Sequence, residues 1–180
     1  MESLNELLND ELKDLYSAEH QLLKALPAMA KKANSETLKA AFLSHLEETR
    51  GQVARLNQIG EMLEIRVAGK KCKAMEGLVE ESKEILEEEG ESPIIDAALI
   101  GAAQCVEHYE IAAYGTTKAI AEHLGLAKVA KLLQLTLDEE SKADKKLTAI
   151  SLDEILPSAM TGDEEGDELE MASHASRRKL

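Results

Sequence analysis

Carboxylate and imidazole side chains interrupt the apolar stripes of four predicted helices, and these are side-chain types that bind metal ions. The first stripe is leucine at every position except one: Leu8, Leu12, Leu15, Glu19, Leu22 and Leu26. Carboxylates rarely occupy a bundle core unless a positive charge lies beside them. Oxygen-rich ligation with one or two imidazoles favours iron or manganese over zinc or copper. The candidate metal ligands are Glu19, His45, Glu48, Glu107, Glu110, Glu140 and Asp144.

Each polar insertion falls near the middle of its predicted helix. On the second helix, His45, Glu48 and Gln52 form three consecutive polar layers between apolar ones. Antiparallel helices of similar length bring their middles to one level, so the insertions are predicted to meet. The sequence therefore predicts two metal ions, iron or manganese, held by shared carboxylates. The inward-facing carboxylates are predicted to be Glu19, Glu48, Glu107, Glu110 and Glu140.

The apolar periodicity and the capping signals predict the helices that position these side chains. Four long helices cover about 4–32, 36–63, 93–124 and 126–150, and a shorter one covers about 74–88. Short connections make the first two and the last two long helices antiparallel hairpins. The predicted fold is an all-α, ferritin-like four-helix bundle whose long crossover carries the extra short helix. The alternative is an ordinary up-down bundle with a fifth helix added.

Composition indicates one domain followed by a tail. The chain has 180 residues, of which 44% are hydrophobic and 31% charged, which is typical of a helical domain with a real core. Residues 1–156 are predicted to form the bundle. Residues 157–180 are acidic and poor in large apolar side chains, which predicts a flexible tail. Cys72 and Cys105 are predicted to stay reduced, and Cys105 to be buried.

The net charge of -14 disfavours binding to nucleic acids or anionic membranes. The amino terminus has neither the basic start nor the apolar stretch of a signal peptide, and no apolar run is long enough to span a membrane. We therefore expect a cytoplasmic protein, with no nucleic acid or membrane as a partner. A homo-oligomer, specifically a dimer, is the expected assembly.

Several segments closely resemble the YciE/YciF family of small bacterial ferritin-like proteins: DLYSAEHQL, HLEETRGQ, AALIGAAQCVEHYEIAAYGT and TLDEESKAD. The resemblance covers roughly the first 150 residues and includes CKAMEGLVEE in the crossover. It implies a ferritin-like bundle, a dinuclear metal site and an association with stress responses. It also implies that Glu19, Glu48 and Glu140 are metal ligands, together with Glu107, Glu110 or both.

The chain departs from the di-iron pattern at one point. Such bundles use Glu-x-x-His on two helices, whereas here Gly51 and Ala143 stand three residues after Glu48 and Glu140. His45 instead precedes Glu48 by three residues, so the site is expected to hold one imidazole or none. This departure leaves two functions open. One is a di-iron oxidoreductase that oxidises ferrous iron with oxygen or peroxide. The other is a non-catalytic stress or structural protein whose metal, if any, is structural.

Overall fold

A computed structural model of the chain describes residues 2–90 and 92–160. These residues form five α-helices and no β-strand: α1 (Leu4–Lys32), α2 (Glu36–Leu63), α3 (Lys73–Glu87), α4 (Ser92–His123) and α5 (Ala127–Ile150). Helix α5 continues through a π-helical turn, Ser151–Ile155, into a last helical turn that reaches Met160. The predicted boundaries of the five helices agree with the observed ones to within one residue.

The helices pack in the ferritin-like order. Helix α1 packs against α2 and α4, and α5 packs against α4 and α2, while α3 lies across α1 and α4. An up-down bundle would instead place α2 beside α4 and α1 beside α5. The predicted all-α, ferritin-like fold is therefore confirmed, and the up-down alternative is excluded.

Two apolar clusters fill the bundle above and below its middle. One cluster lies between the second half of α1, the first half of α2, the first half of α4 and the end of α5. Each of these segments contributes a leucine to it, in the same order: Leu22, Leu38, Leu99 and Leu147. The other joins the opposite halves and includes Leu12, Leu56, Ala121 and Leu133. The polar insertions lie between the two clusters, which places them at one level, as the sequence predicts.

A tight turn aligns α4 with α5. Gly125 adopts a φ of 76°, a left-handed conformation that glycine reaches without steric cost. Its N–H donates to the Glu122 carbonyl (3.0 Å), and the Leu126 N–H donates to the Ala121 carbonyl (2.9 Å). This pair of hydrogen bonds satisfies carbonyl groups at the end of α4 and reverses the chain within three residues.

A carboxylate of α4 stabilises the start of α2. Asp96 is 2% exposed, and it accepts hydrogen bonds from the backbone N–H groups of Asn34 and Ser35, both at 2.8 Å. Ser35 itself caps α2 by accepting from the Leu38 N–H. The sequence signal for Asp96 is a lone acid in the apolar segment IIDAALI, which our sequence analysis did not use.

We expect Asp96→Ala to destabilise the bundle by about 1–3 kcal/mol, because two backbone N–H groups at the start of α2 lose their charged acceptor. Urea unfolding followed by circular dichroism would measure the change. Asp153→Ala is the matched control, since Asp153 is exposed and should change stability by less than about 0.5 kcal/mol. Equal stability of the two variants would show that Asp96 is not a structural cap.

Cys105 was predicted to be buried, and this prediction is wrong, because the side chain is exposed. Ala103 and Val106 occupy the buried stripe of α4, which turns position 105 outward.

At the carboxyl end, the described helix passes the predicted domain boundary at 156, and Ala159 is buried. Residues 161–180, most of the predicted tail, lie outside the described residues. No helix in the described ranges is long and apolar enough to cross a membrane.

Candidate metal centre

Four predicted ligands from three helices converge in the middle of the bundle: His45, Glu107, Glu110 and Glu140. Each side chain offers one ligand atom, and these atoms all lie within 4.8 Å of one another. All four residues are buried. Transition-metal bonds to nitrogen and oxygen are about 2.0–2.2 Å long, so ligand atoms around one ion lie about 3–4.4 Å apart. The spacing of this four-residue cluster therefore suits a bound metal ion.

His45 directs one ring nitrogen into the cluster. Its Nε2 lies 3.4 Å from Glu107 Oε1 and 3.5 Å from Glu140 Oε2, yet it forms no hydrogen bond. Its Nδ1 lies 3.3 Å from Glu48 Oε2. Burial lowers the pKa of His45, but the Glu48 hydrogen bond and the nearby carboxylates outweigh burial and raise it. Metal-binding histidines commonly pair their second nitrogen with a carboxylate in this way.

Glu48 does not face the interior as predicted, since 35% of its side chain is exposed. The buried stripe of α2 instead passes through Thr49, which is fully buried and donates to the His45 carbonyl at 2.8 Å. A helical repeat of 3.6 residues places position 49, between 45 and 52, on the inner face. Glu48 orients His45 from the edge of the cluster, and its role as a direct ligand stays a prediction.

Glu19 contributes a carboxylate from α1, on the remaining side of the layer. It is fully buried, and Tyr114 donates a hydrogen bond to its Oε1. Its Oε2 has no hydrogen-bond partner. One oxygen of Glu19 is thus fixed by Tyr114, and the other is free to bind a cation.

A series of side-chain hydrogen bonds that begins near the surface holds Glu140 in place. The Gln52 amide donates to Glu140 Oε1 and, at 3.2 Å, to Glu139 Oε2. Arg55 donates to Glu139 Oε1 and to Thr136 Oγ1, both at 2.5 Å. Gln52 is recognisable in the sequence as a polar position in the stripe of α2, whereas Arg55, Glu139 and Thr136 are not. The available signal was weak, because Arg55 lies one helical turn beyond Gln52 on α2 and charged residues at helix edges are common.

Asp144 lies outside the four-residue cluster. Its side chain is 20% exposed and lies 3.3 Å from His108 Nε2, whose own side chain is 70% exposed. Gln104 also donates to Asp144, at 2.9 Å. These contacts direct Asp144 toward the groove between α4 and α5. Asp144 is therefore not one of the residues whose ligand atoms lie within 4.8 Å of one another, although its charge helps to raise the pKa of Glu107.

Seven buried side-chain atoms in the described residues have no hydrogen-bond partner, and all belong to this layer. They are Glu19 Oε2, His45 Nε2, Gln52 Oε1, Glu107 Oε2, both carboxylate oxygens of Glu110, and Glu140 Oε2. A buried polar atom without a partner costs about 1–3 kcal/mol, and more when it is charged. Such a concentration is unfavourable unless a cation or protons bind there, since either one satisfies acceptor atoms of this kind.

Burial raises the pKa of each of the four buried carboxyl groups. The pKa of Glu19 rises to about 8, with a further contribution from the charge of Glu140, and that of Glu107 rises to about 7. Burial and the neighbouring carboxylates raise the pKa of Glu110 well above its ordinary value. Burial also raises that of Glu140. Without a cation, the cluster therefore holds protons at neutral pH.

We expect Glu48→Ala to lower metal affinity about 10–100-fold without abolishing binding, because His45 loses the partner that orients it. Titration with a metal indicator would measure the affinity. Glu47→Ala is the control, since Glu47 is the adjacent residue and its side chain is 72% exposed. Complete loss of binding would instead identify Glu48 as a direct ligand.

The fold and the cluster together define the class of protein, a ferritin-like helical bundle with a buried layer of carboxylates and histidine. The family described as "Domain of unknown function (DUF892)" matches residues 3–160, and the chain belongs to this family. Protein YciF of Escherichia coli (strain K12) is 46% identical over 156 residues, which cover 86% of this chain and 94% of that protein. The resemblance to the YciE/YciF family is therefore confirmed.

Solved structures agree with this relationship. The crystal structure of the E. coli stress protein YciF has a TM-score of 0.83 at 47% identity and covers 85% of this chain and 97% of that one. YcfI from Rhodopseudomonas palustris, provisionally described as a structural protein, has a TM-score of 0.79 at 41% identity. The match covers 82% of this chain and 94% of that chain. A Xanthomonas campestris protein has a TM-score of 0.70 at 21% identity, and the match covers 91% of this chain and 99% of that chain. At this low identity the likeness shows the fold alone.

Proposed function

We propose that this chain is a stress-associated ferritin-like protein that binds two iron ions in its buried layer and oxidises ferrous iron with oxygen or peroxide. The observation that carries the proposal is the group of seven buried polar atoms without partners, all at one level of the bundle. Six of them are oxygens, five of which belong to carboxylates. A cation is the ligand that such a donor set would bind.

Charge balance supports two ions. The four buried carboxylates of the layer, Glu19, Glu107, Glu110 and Glu140, carry four negative charges when ionised, which two divalent cations neutralise. The four-residue cluster would hold one ion. The second would lie toward Glu19, whose Oε2 has no hydrogen-bond partner. Glu19 is near the other carboxylates, because its charge raises the pKa of Glu110 and the charge of Glu140 raises its own pKa. Iron or manganese suits a set of oxygens with a single imidazole.

The protein side chains would hold the ions. Ferrous ions bound there would supply the electrons that reduce oxygen or peroxide. Tyr114 and Gln52 each fix one carboxylate oxygen, of Glu19 and Glu140 respectively, and so leave the second oxygen for a metal. The apolar clusters on both sides shield the layer from bulk solvent, which strengthens its electrostatic interactions.

The association with stress is extended from the E. coli relative, which is described as a stress protein. A second candidate function is that of a non-catalytic stress or structural protein whose metal only stabilises the bundle. Two observations favour it. The site has one imidazole instead of the two of the Glu-x-x-His pattern, and the R. palustris relative is provisionally described as structural.

Ferrous oxidation distinguishes the two functions. Wild type under air or with peroxide should oxidise ferrous iron faster than the protein-free background. We expect Glu19→Gln to retain about one iron per chain and to lose the oxidation, because the second ion loses its ligand. Glu122→Gln is the control, since Glu122 is a half-exposed residue of α4. Bound iron in wild type with a rate equal to the background would support the structural alternative.

A further inference from the structure

A small pocket between α2 and α5 reaches the buried layer from the surface. Its volume is about 80 Å³; the buried residues His45 and Glu107 line its inner part, and the partly exposed Glu48 lies nearer its mouth. His45 and Glu107 also belong to the four-residue cluster. The pocket therefore connects solvent to the side chains that would hold a metal.

The walls and the mouth of this pocket differ in character. Phe42, Ala143 and Leu147 form apolar walls. Lys142 and Lys146, one helical turn apart on α5, also line it, and both are exposed, so they stand at its mouth. The His45 hydrogen bond, followed by the charges of His45 and these two lysines, lowers the pKa of Glu48 against the effect of burial.

The charge at the mouth is opposite to that of the whole chain. Two lysines stand beside a single carboxylate, Glu48, whereas the chain carries a net charge of -14. A lysine pair attracts anions and repels divalent cations. A neutral molecule would gain little from the pair. The pocket holds a small molecule of a few heavy atoms, because about 10–15 Å³ of such space is enough for one water molecule.

We propose that this pocket binds a small anion of a few heavy atoms and brings it to the metal ions of the buried layer. The inference rests on the proposed metal binding. Five protein side chains cannot fill all the coordination positions of two octahedral ions, so positions remain for a small ligand. Because His45 and Glu107 belong to both the cluster and the pocket lining, an ion that they hold would lie next to the pocket. Lys142 and Lys146 supply the attraction for the anion.

Azide is the probe for the test, and cobalt(II) is the reporter, because its visible spectrum responds to its ligands. The wild-type protein loaded with cobalt(II) should show a saturable spectral change when sodium azide is added. The double variant Lys142→Glu/Lys146→Glu should weaken azide binding about tenfold or more, since two attractive charges become repulsive. Ala143→Leu should also weaken azide binding, because it narrows the pocket.

A matched control separates the local charge from the net charge. Lys128→Glu/Lys131→Glu changes two exposed lysines of the same helix that do not line the pocket and that lie about 16 Å or more along the helix from Lys142. We expect its azide affinity to stay within about twofold of wild type, because screened charges act over about 10 Å. Cobalt content is measured for every variant, so that loss of metal is not mistaken for loss of azide binding.

The outcomes are distinct. Weaker azide binding in the Lys142/Lys146 and Ala143 variants, with full cobalt content and an unaffected control, would support the inference. Equal azide affinity in all variants, or no azide response from cobalt-loaded wild type, would overturn it and leave the proposed metal binding intact. Wild type that binds no cobalt or iron would overturn the proposed function, and the inference with it.

Discussion

Glu110→Gln should abolish iron binding and at the same time stabilise the metal-free protein. Glu110 is fully buried, and neither of its carboxylate oxygens has a hydrogen-bond partner. It lies among the other carboxylates of the cluster. Its negative charge attracts a bound cation, and in the metal-free protein the same charge is desolvated and is repelled by its neighbours. Glutamine keeps the shape but removes the charge. Its amide can also donate to the oxygens of Glu107 and Glu140.

We expect the iron affinity of this variant to fall at least 100-fold, beyond the usual range for residues that only orient ligands. The metal-free variant should be more stable than wild type at pH 8 by about 1–3 kcal/mol. Anaerobic ferrous titration and urea unfolding measure the two quantities. Glu122→Gln, on the same helix, should change neither. Wild-type iron affinity in Glu110→Gln would remove Glu110 from the metal site, and lower metal-free stability would contradict the electrostatic argument.

The metal-free protein should lose stability as the pH rises from about 5 to 8. The ordinary pKa of these carboxyl groups is 4.5, whereas in the folded chain the pKa of Glu107 is about 7 and that of Glu19 about 8. The folded state therefore binds more protons than the unfolded state across this interval. Stability is then highest at the acidic end and falls as the pH rises. A shift of one pKa unit corresponds to about 1.4 kcal/mol, so the total loss is on the order of a few kcal/mol.

Metal should reverse this trend, because metal binding requires deprotonated carboxylates and neutral imidazole. Thermal melting between pH 5 and 8, with and without ferrous or manganous ions, would measure both slopes. The stabilisation by metal should grow with pH. A metal-free melting temperature that falls from pH 7 to pH 5 would contradict a buried, proton-holding cluster.

The helices could be predicted from the sequence because their signals are local. Leucine spacing, the cap at Ser35 and the glycine at position 125 set the helix boundaries, and the short connections set the hairpins. The level at which the polar residues meet followed from helix length alone. The family resemblance then agreed with a topology that connection lengths already favoured.

The finer arrangement of the site depends on packing between helices, which the sequence does not encode locally. The rotation of α2 about its own axis determines whether Glu48 or Thr49 is buried. In the structure Thr49 lies on the inner face. Asp144 turns toward His108 and Gln104, which belong to a different helix. The Arg55 contacts likewise join residues more than 80 positions apart. The dimer and the cytoplasmic location stay predictions from the sequence.

Diffraction at the iron absorption edge, from crystals of protein loaded anaerobically with ferrous iron, tests the central claim most directly. The account predicts two anomalous peaks per chain in the buried layer. One should lie within about 2.0–2.3 Å of ligand atoms from His45, Glu107, Glu110 and Glu140, and the other should contact Glu19. Iron found only at the protein surface, with the buried carboxylates bonded to one another or to water, would contradict it.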